Sequence, residues 1–268
     1  MTTYPSTLGM RYTTDLSDNE WELLQPCFPK PGRTGRPREH SRRELLNAIF
    51  YLVRTSCQWR NLPKDFAPWG TVYHYFRVWK KNGLWETIHT CLRQQVRQAE
   101  DRNSQPSAAI VDSQSVKSSE CSDQRGCDAG KKINGRKRHL LVDTIGLVLL
   151  VMVLPANIQD RDGARQLLDK HFGRPTRRRV KHVWADGGYT GTFVAWALAM
   201  WRCTVEIVKR TDAHTFKVLP RRWVVERTFG WLNRYRRLSR DYERQAHTGE
   251  IMVYLAMIRL MVARLANI

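Results

Sequence analysis

The sequence predicts a mixed α/β sheet with helices on its faces, preceded by an all-helical region. Three observations predict it. Up to about Gln98 the apolar residues recur at helical spacing only. From Ala108 onward short apolar runs alternate with helical stretches, and two of those runs end in an aspartate. Between the two parts, Ala99-Glu-Asp-Arg-Asn-Ser-Gln-Pro-Ser is polar, carries a proline and has no periodicity. The expected division is a helical domain over 1–98, a linker over 99–108 and an α/β domain over 109–268.

The helical region reads as follows. Asp15-Leu-Ser-Asp-Asn-Glu-Trp-Glu-Leu-Leu opens a helix with capping residues. Lys30 to Glu39 is rich in Pro, Gly and Arg, and is expected as an exposed basic loop. Ser41 to Cys57 forms a helix with Leu45, Leu46, Ile49, Phe50 and Val53 on one face. Asn61 to Gly70 is turn-rich. Thr71 caps a helix over Val72 to Lys81, Gly83 ends it, and Trp85 to Val96 forms another. The helix ending at Lys81 has the place of a recognition helix of helix-turn-helix type, with Tyr73, His74, Arg77, Lys80 and Lys81 as candidate DNA contacts.

In the second region Ala108-Ala-Ile-Val-Asp112 reads as a strand ending in an acid. Arg138 to Asp143 and Leu147 to Leu154, separated by Thr144-Ile-Gly146, read as a β-hairpin. Arg161 to Phe172 is helical, and Val180 to Asp186 is a second strand ending in an acid. A helix over Thr192 to Trp201, a strand over Val205 to Val208, a long helix over Arg221 to Arg237 and a last helix over Gly249 to Ala266 complete the chain. There is no internal repeat.

Of the 268 residues 42% are hydrophobic, enough for a large core, and the formal net charge is +20. Such a surplus favours a polyanionic partner. No run of about 18 apolar residues exists, so a membrane-spanning helix is excluded. The start, Met1-Thr-Thr-Tyr-Pro, does not resemble a signal peptide, and a cytoplasmic location is expected. Six scattered cysteines form no C-x-x-C pair, the histidines complete no zinc pattern, and no phosphate-cradling glycine loop is present. Cys27, Cys57 and Cys91 read as reduced structural thiols. Cys121 and Cys127 flank a polar loop and are expected free.

The acids carry the chemistry. Sites in open α/β sheets gather at the carboxyl ends of strands, where Asp112 and Asp186 are expected. Asp186 is followed by Gly187-Gly188, which permits close approach of a phosphate backbone. Glu226 lies on the long helix four residues after Arg222, so the two share a helix face. That spacing fits an ordinary helix ion pair as well as a site. Three carboxylates suit a pair of hard divalent cations, which assist phosphodiester displacement by activating the attacking oxygen and stabilising the leaving one. Arg222 is then placed to neutralise a phosphate oxygen. Asp143 reads as a turn acid, Asp123 and Asp128 as members of a mobile basic loop, and Asp160 and Asp162 as helix caps.

The phrases Val-Asp112-Ser-Gln-Ser-Val-Lys, Ala-Asp186-Gly-Gly-Tyr-Thr-Gly and Arg222-Trp-Val-Val-Glu226-Arg-Thr-Phe-Gly-Trp-Leu resemble those of the DDE transposases of bacterial insertion sequences, the insertion-sequence-five family in particular. The resemblance covers nearly the whole chain. Leu-Ser-Asp-Asn-Glu-Trp-Glu and Gln58-Trp-Arg-Asn-Leu-Pro resemble that family's N-terminal DNA-binding region. The resemblance implies an RNase H-like fold with a five-stranded sheet. It implies Asp112, Asp186 and Glu226 as catalytic metal ligands, and two Mg²⁺ ions that Mn²⁺ replaces. Leu219 stands where the family sets a tyrosine ahead of the arginine, and Asn233, with Arg234 next, stands where it sets a basic residue seven after the glutamate. The 40-residue separation from Asp186 to Glu226 (226 − 186) leaves no room for an inserted domain.

Lys131, Lys132, Arg136, Lys137 and Arg138 near the first acid, and Arg234, Arg236, Arg237 and Arg240 continuing the Glu226 helix, are expected to hold DNA beside the scissile phosphate. The expected function is binding of terminal inverted repeats, metal-dependent cleavage and strand transfer into target DNA, by a homo-oligomer of two or more protomers. The alternatives are a catalytically silent DNA-binding protein such as a repressor, and a metal-dependent nuclease without strand transfer.

Overall fold

The structure is a computed structural model and describes residues 11–29, 39–174, 179–208 and 223–268. Arg222, Leu219 and most of the expected loop over 30–39 therefore lie outside the described residues.

Helix α1 (Asp18–Leu24) starts at a capping box. The Ser17 hydroxyl accepts from the Glu20 amide, and the Glu20 carboxylate accepts from the Ser17 amide. Ser41 caps α2 (Arg42–Thr55) in the same way through the Glu44 amide. Helix α3 (Trp69–Lys81) begins after Pro68, two residues before the expected cap at Thr71. Gly83, at φ +67°, turns the chain into α4 (Leu84–Ala99). The connection from α2 to α3 runs from Ser56 to Pro68 and is much longer than a tight helix-turn-helix turn.

The sheet contains β1 (Ala108–Lys117), β2 (Gly126–Asp128), β3 (Ile133–Asp143), β4 (Val148–Pro155), β5 (His182–Ala185) and β6 (Thr204–Ile207). Strand β3 pairs antiparallel with both β1 and β4, while β1, β5 and β6 are mutually parallel neighbours. The three residues of β2 pair with the start of β3 and raise the expected five strands to six. Strand β1 continues past Asp112 because its polar second half pairs with the polar first half of β3, for example Ser113 with His139 and Ser115 with Lys137. It is β5 that stops, at Ala185, one residue before Asp186.

Side chains alternate across the sheet and supply two cores. On one face Ile110, Leu140, Val142 and Trp184 join the N-terminal helices, α7 (Trp223–Asn233) and α8 (Ala246–Leu265). On the other, Ala109, Val111, Leu141, Val183 and Ala185 join α5 (Asp160–Phe172) and α6 (Thr192–Trp201). Helix α8 is apolar around most of its circumference because it is enclosed. It packs against α1, α2 and α4 on one side and β4 on the other. The N-terminal helices and the sheet thus share one core through α8.

Candidate active site

Strands β1 and β5 run in parallel register, with Ile110 opposite Trp184. Asp112 stands two residues further along β1, on the same face as Ile110, and Asp186 stands one residue past the end of β5. One oxygen of each carboxylate is fixed by a nearby amide: Asp112 accepts from the Ser113 N–H at 2.7 Å, and Asp186 accepts from the Gly188 N–H at 2.9 Å. The second bond forms because Asp186 caps the short 3₁₀ turn Gly187–Tyr189. A Cβ on Gly187 would meet nothing within 4 Å, so the surface there is open to a large ligand.

Two neighbours of this pair, Tyr189 and Asp160, were not legible as site residues, and Lys137, expected as a DNA contact, joins them. Tyr189 is fully buried, and its hydroxyl lies beside Ser113 without making a hydrogen bond. Burial, then the charges of Asp112, Asp160 and Asp186, push its phenol well above the usual range. Asp160 accepts from the Ser113 hydroxyl at 2.7 Å and pairs with the Lys137 ammonium at 3.0 Å. It is therefore not the helix cap expected of it. Gln159 occupies that position, and the Asp160 carboxylate is turned inward. Burial would raise the Asp160 carboxyl, but the bonds from Ser113 and Lys137 outweigh it and hold it below the usual range. Lys137 also donates to the Ile158 carbonyl and reaches Asp128, which accepts from the Ser115 hydroxyl. Asp128 thus belongs to an ordered strand and a side-chain network, in place of the expected mobile loop.

Glu226 is on the exposed side of α7. Val224, Val225, Phe229 and Leu232 bury the opposite side in the first core. The helix is fixed to the β3–β4 turn by Thr228, whose hydroxyl donates to the Gly146 carbonyl, and by Arg227, which donates to the Ile145 carbonyl. It ends at Asn233, and the chain then makes a 3₁₀ turn at Arg236–Leu238, so the expected helix to Arg237 is too long. Asp143, the turn acid, is fully buried and accepts from the Ile145 and Leu147 amides.

Carboxylate oxygens are the hard donors that a divalent cation such as Mg²⁺ takes. Asp112 and Asp186 supply such oxygens. Among the described residues no three His, Cys, Asp or Glu side chains stand together as a metal-holding group. No such group includes Glu226, which lies on the exposed side of α7.

The expected DNA-contacting residues divide sharply. Arg136 and Arg138 are buried, and that expectation is corrected for both. Arg136 binds Asp123, Asp241 and the carbonyls of Glu243 and Arg244, and Arg138 binds the carbonyls of Leu238 and Arg240. Burial lowers the Arg138 guanidinium to about 10. Lys137 is buried in the network above. Arg237 is also enclosed, bound to Glu243 and to the Cys57 carbonyl. These cations stitch the segment after α7 to the sheet and to the helical region, and they do not face a ligand. Lys131, Lys132, Arg234, Arg236 and Arg240 are exposed. On α3, Tyr73, His74, Arg77 and Lys81 are exposed and line a groove of about 950 Å³ with Arg244. Lys80 is partly spent there on Gln245 and Thr248. All six cysteines are free thiols. Among the described residues no helix is long and apolar enough to cross a membrane.

A family model described as "Transposase DDE domain" matches residues 103–261, more than half of the chain. The chain belongs to the DDE transposases. Its sheet is accordingly that of the RNase H-like fold, with β4, β3, β1, β5 and β6 as the five principal strands. A second model, described as "Putative transposase of IS4/5 family", matches residues 16–89. Two proteins of Burkholderia cepacia are similar to this DDE transposase. One, "Insertion element IS402 uncharacterized 16.2 kDa protein", is 30% identical over 124 residues, covering 44% of this chain and 78% of that one. The other, "Putative transposase for insertion sequence element IS402", is 34% identical over 118 residues, covering 42% of this chain and 56% of that one. The match thus spans little more than half the length of the second relative. No solved structure matches the chain.

Proposed function

We propose that the protein binds the terminal inverted repeats of an insertion sequence, cleaves a phosphodiester at each end and joins the freed end to target DNA. The observation that carries this reading is the pair Asp112, on β1, and Asp186, just past the end of the parallel neighbour β5, each held by an amide, in a chain of the DDE transposases. In the first step water attacks the phosphorus, the bond to the 3′ oxygen breaks, and a 3′-hydroxyl and a 5′-phosphate result. In the second step that hydroxyl attacks a target phosphodiester, one ester bond forms and another breaks, and no external energy source is needed.

Asp112, Asp186 and Glu226 are the residues proposed to hold Mg²⁺, or Mn²⁺ in its place. Such ions supply activation of the attacking oxygen and charge stabilisation at the leaving one. The amides of Ser113 and Gly188 keep the two aspartates from turning away. Arg222 is proposed to offset phosphate charge. Tyr73, His74, Arg77 and Lys81, with the exposed Lys131, Lys132, Arg234 and Arg236, are proposed to hold the double helix. Joining two ends requires at least two protomers.

The test is Asp186→Asn, incubated with end DNA and Mg²⁺. Strand cleavage should be lost while end binding persists, and full cleavage would sink the site. A second reading, a DNA-binding protein that does not cut, is favoured by the lack of a three-acid group among the described residues. Specific binding by the unaltered protein without nicking, in Mn²⁺ as in Mg²⁺, would decide for it.

A further inference from the structure

We infer that Asp160 is a positioning residue that couples the two strand-end carboxylates and sets their affinity for a divalent cation. The inference rests on the reading of Asp112 and Asp186 as the centre of the site. Asp160 belongs to none of the three motif phrases and sits at the first position of α5. Its Oδ1 receives the Ser113 hydroxyl at 2.7 Å, and the Ser113 amide holds Asp112. Its Oδ2 lies on the other side, 3.9 Å from where a Cβ on Gly188 would stand, and the Gly188 amide holds Asp186. One carboxylate therefore bonds the side chain of the residue that orients Asp112 and faces the residue that orients Asp186.

Asp160 is itself fixed. The Lys137 ammonium, itself buried, is held from three sides: by Asp160 at 3.0 Å, the Ile158 carbonyl at 2.9 Å and Asp128 at 3.6 Å. A second observation points to a ligand at this place. The Tyr189 hydroxyl is fully buried among these acids, with the Ser113 side chain beside it and no hydrogen bond of ordinary geometry, an arrangement that leaves room for one further polar partner. Ligand-orienting groups outside the direct contact shell typically alter cation affinity or activity about 10–100-fold. Asp160 has the geometry for that role and, being paired with Lys137, adds no net charge of its own to the site.

The test uses the full chain and three variants: D160N, S113A and D112N. Mn²⁺ binding to the protein without DNA is read by electron paramagnetic resonance, and cleavage of end DNA is read against Mg²⁺ concentration. For D160N the Mn²⁺ dissociation constant and the Mg²⁺ needed for half-maximal cleavage should both rise about tenfold, with end binding within twofold of the unaltered protein. S113A keeps the Asp160–Lys137 pair and removes only the hydroxyl link, so it should shift both readouts in the same direction by a smaller factor. Should D160N fail to fold, S113A decides alone. Unchanged Mn²⁺ affinity in whichever of the two folds overturns the inference. Cleavage or Mn²⁺ binding surviving intact in D112N would instead overturn the underlying site reading, so the two failures are distinguishable.

Discussion

Arg97, at the end of the last N-terminal helix, donates to Asp143, at the end of β3, across 2.6 Å in a buried ion pair. Neither charge reaches solvent to any useful degree. The second Asp143 oxygen is taken by the amides of Ile145 and Leu147, so the acid is satisfied on both sides. Removing one member of such a pair strands the other, at a cost of about 3–5 kcal/mol. Arg97→Met should lower the unfolding free energy read from a urea titration by an amount in that range. An unfolding free energy within about 0.5 kcal/mol of the unaltered protein would show that the pair carries no stability.

The buried arginines of β3 give a contrast between folding and DNA binding. Arg136→Ala leaves Asp241 and the carbonyls of Asp123, Glu243 and Arg244 without their donor and should destabilise the fold by about 3 kcal/mol or more. Arg77→Ala or Lys81→Ala, on the exposed side of α3, should leave stability within about 0.5 kcal/mol. Each should also reduce the slope of log binding constant against log salt by about 1. Denaturant unfolding and a salt titration of end binding check the two halves. A shallower salt slope for a folded Arg136 variant would show that this residue faces DNA after all.

What was legible in the sequence follows from the range of the interactions involved. The caps of the first helices, the apolar runs that lead to Asp112 and Asp186, and the helical spacing of α8 all declare themselves through neighbours a few residues away. The run Arg136-Lys137-Arg138 does not. Charge density alone reads as a DNA-facing patch, because the carbonyls that bury it belong to residues 238–244, about a hundred positions later. Asp160 was obscured in the same way: an acid at a helix start reads as a cap, and only the approach of Ser113 and Lys137 turns it inward. The three residues of β2 had too little pattern to be seen at all.

His139 predicts a pH dependence. Both ring nitrogens are buried without a hydrogen-bond partner, and burial lowers the imidazole from its usual value to about 4. The unfolded chain then takes up a proton near pH 6.5 that the folded chain refuses until about 4. Stability from this group is therefore fully present above pH 6.5 and is lost as pH falls to about 4, by at most about 3 kcal/mol. Melting temperature should fall over that window, and His139→Gln should flatten the fall. A parallel fall in both proteins would refute the assignment.

The same ring makes Gly163 sensitive. A Cβ there would stand 2.2 Å from the His139 ring, which is enclosed and has no flexible end to move aside. Gly163→Ala should cost about 1–3 kcal/mol by overpacking despite alanine's better helix propensity. Pairing it with a smaller residue, as in the double variant Gly163→Ala with His139→Ala, should recover part of the loss. Strict additivity of the two changes in denaturant unfolding would show that the contact is absent.

Glu226 provides the sharpest test of how the site is completed. It is exposed on α7, and among the described residues it does not join a three-acid group. If DNA and a cation draw it in, its loss should be silent in the free protein and severe in the complex. Glu226→Gln should unfold at the same denaturant concentration as the unaltered chain and bind Mn²⁺ without DNA about as well. It should cleave end DNA at least as poorly as the roughly 10–100-fold loss that an outer-shell partner's removal causes. Asp186→Asn, by contrast, should weaken Mn²⁺ binding with or without DNA. Equal Mn²⁺ defects in the two variants without DNA would show that Glu226 already holds the cation in the free protein. Unimpaired cleavage by Glu226→Gln would remove it from the site altogether.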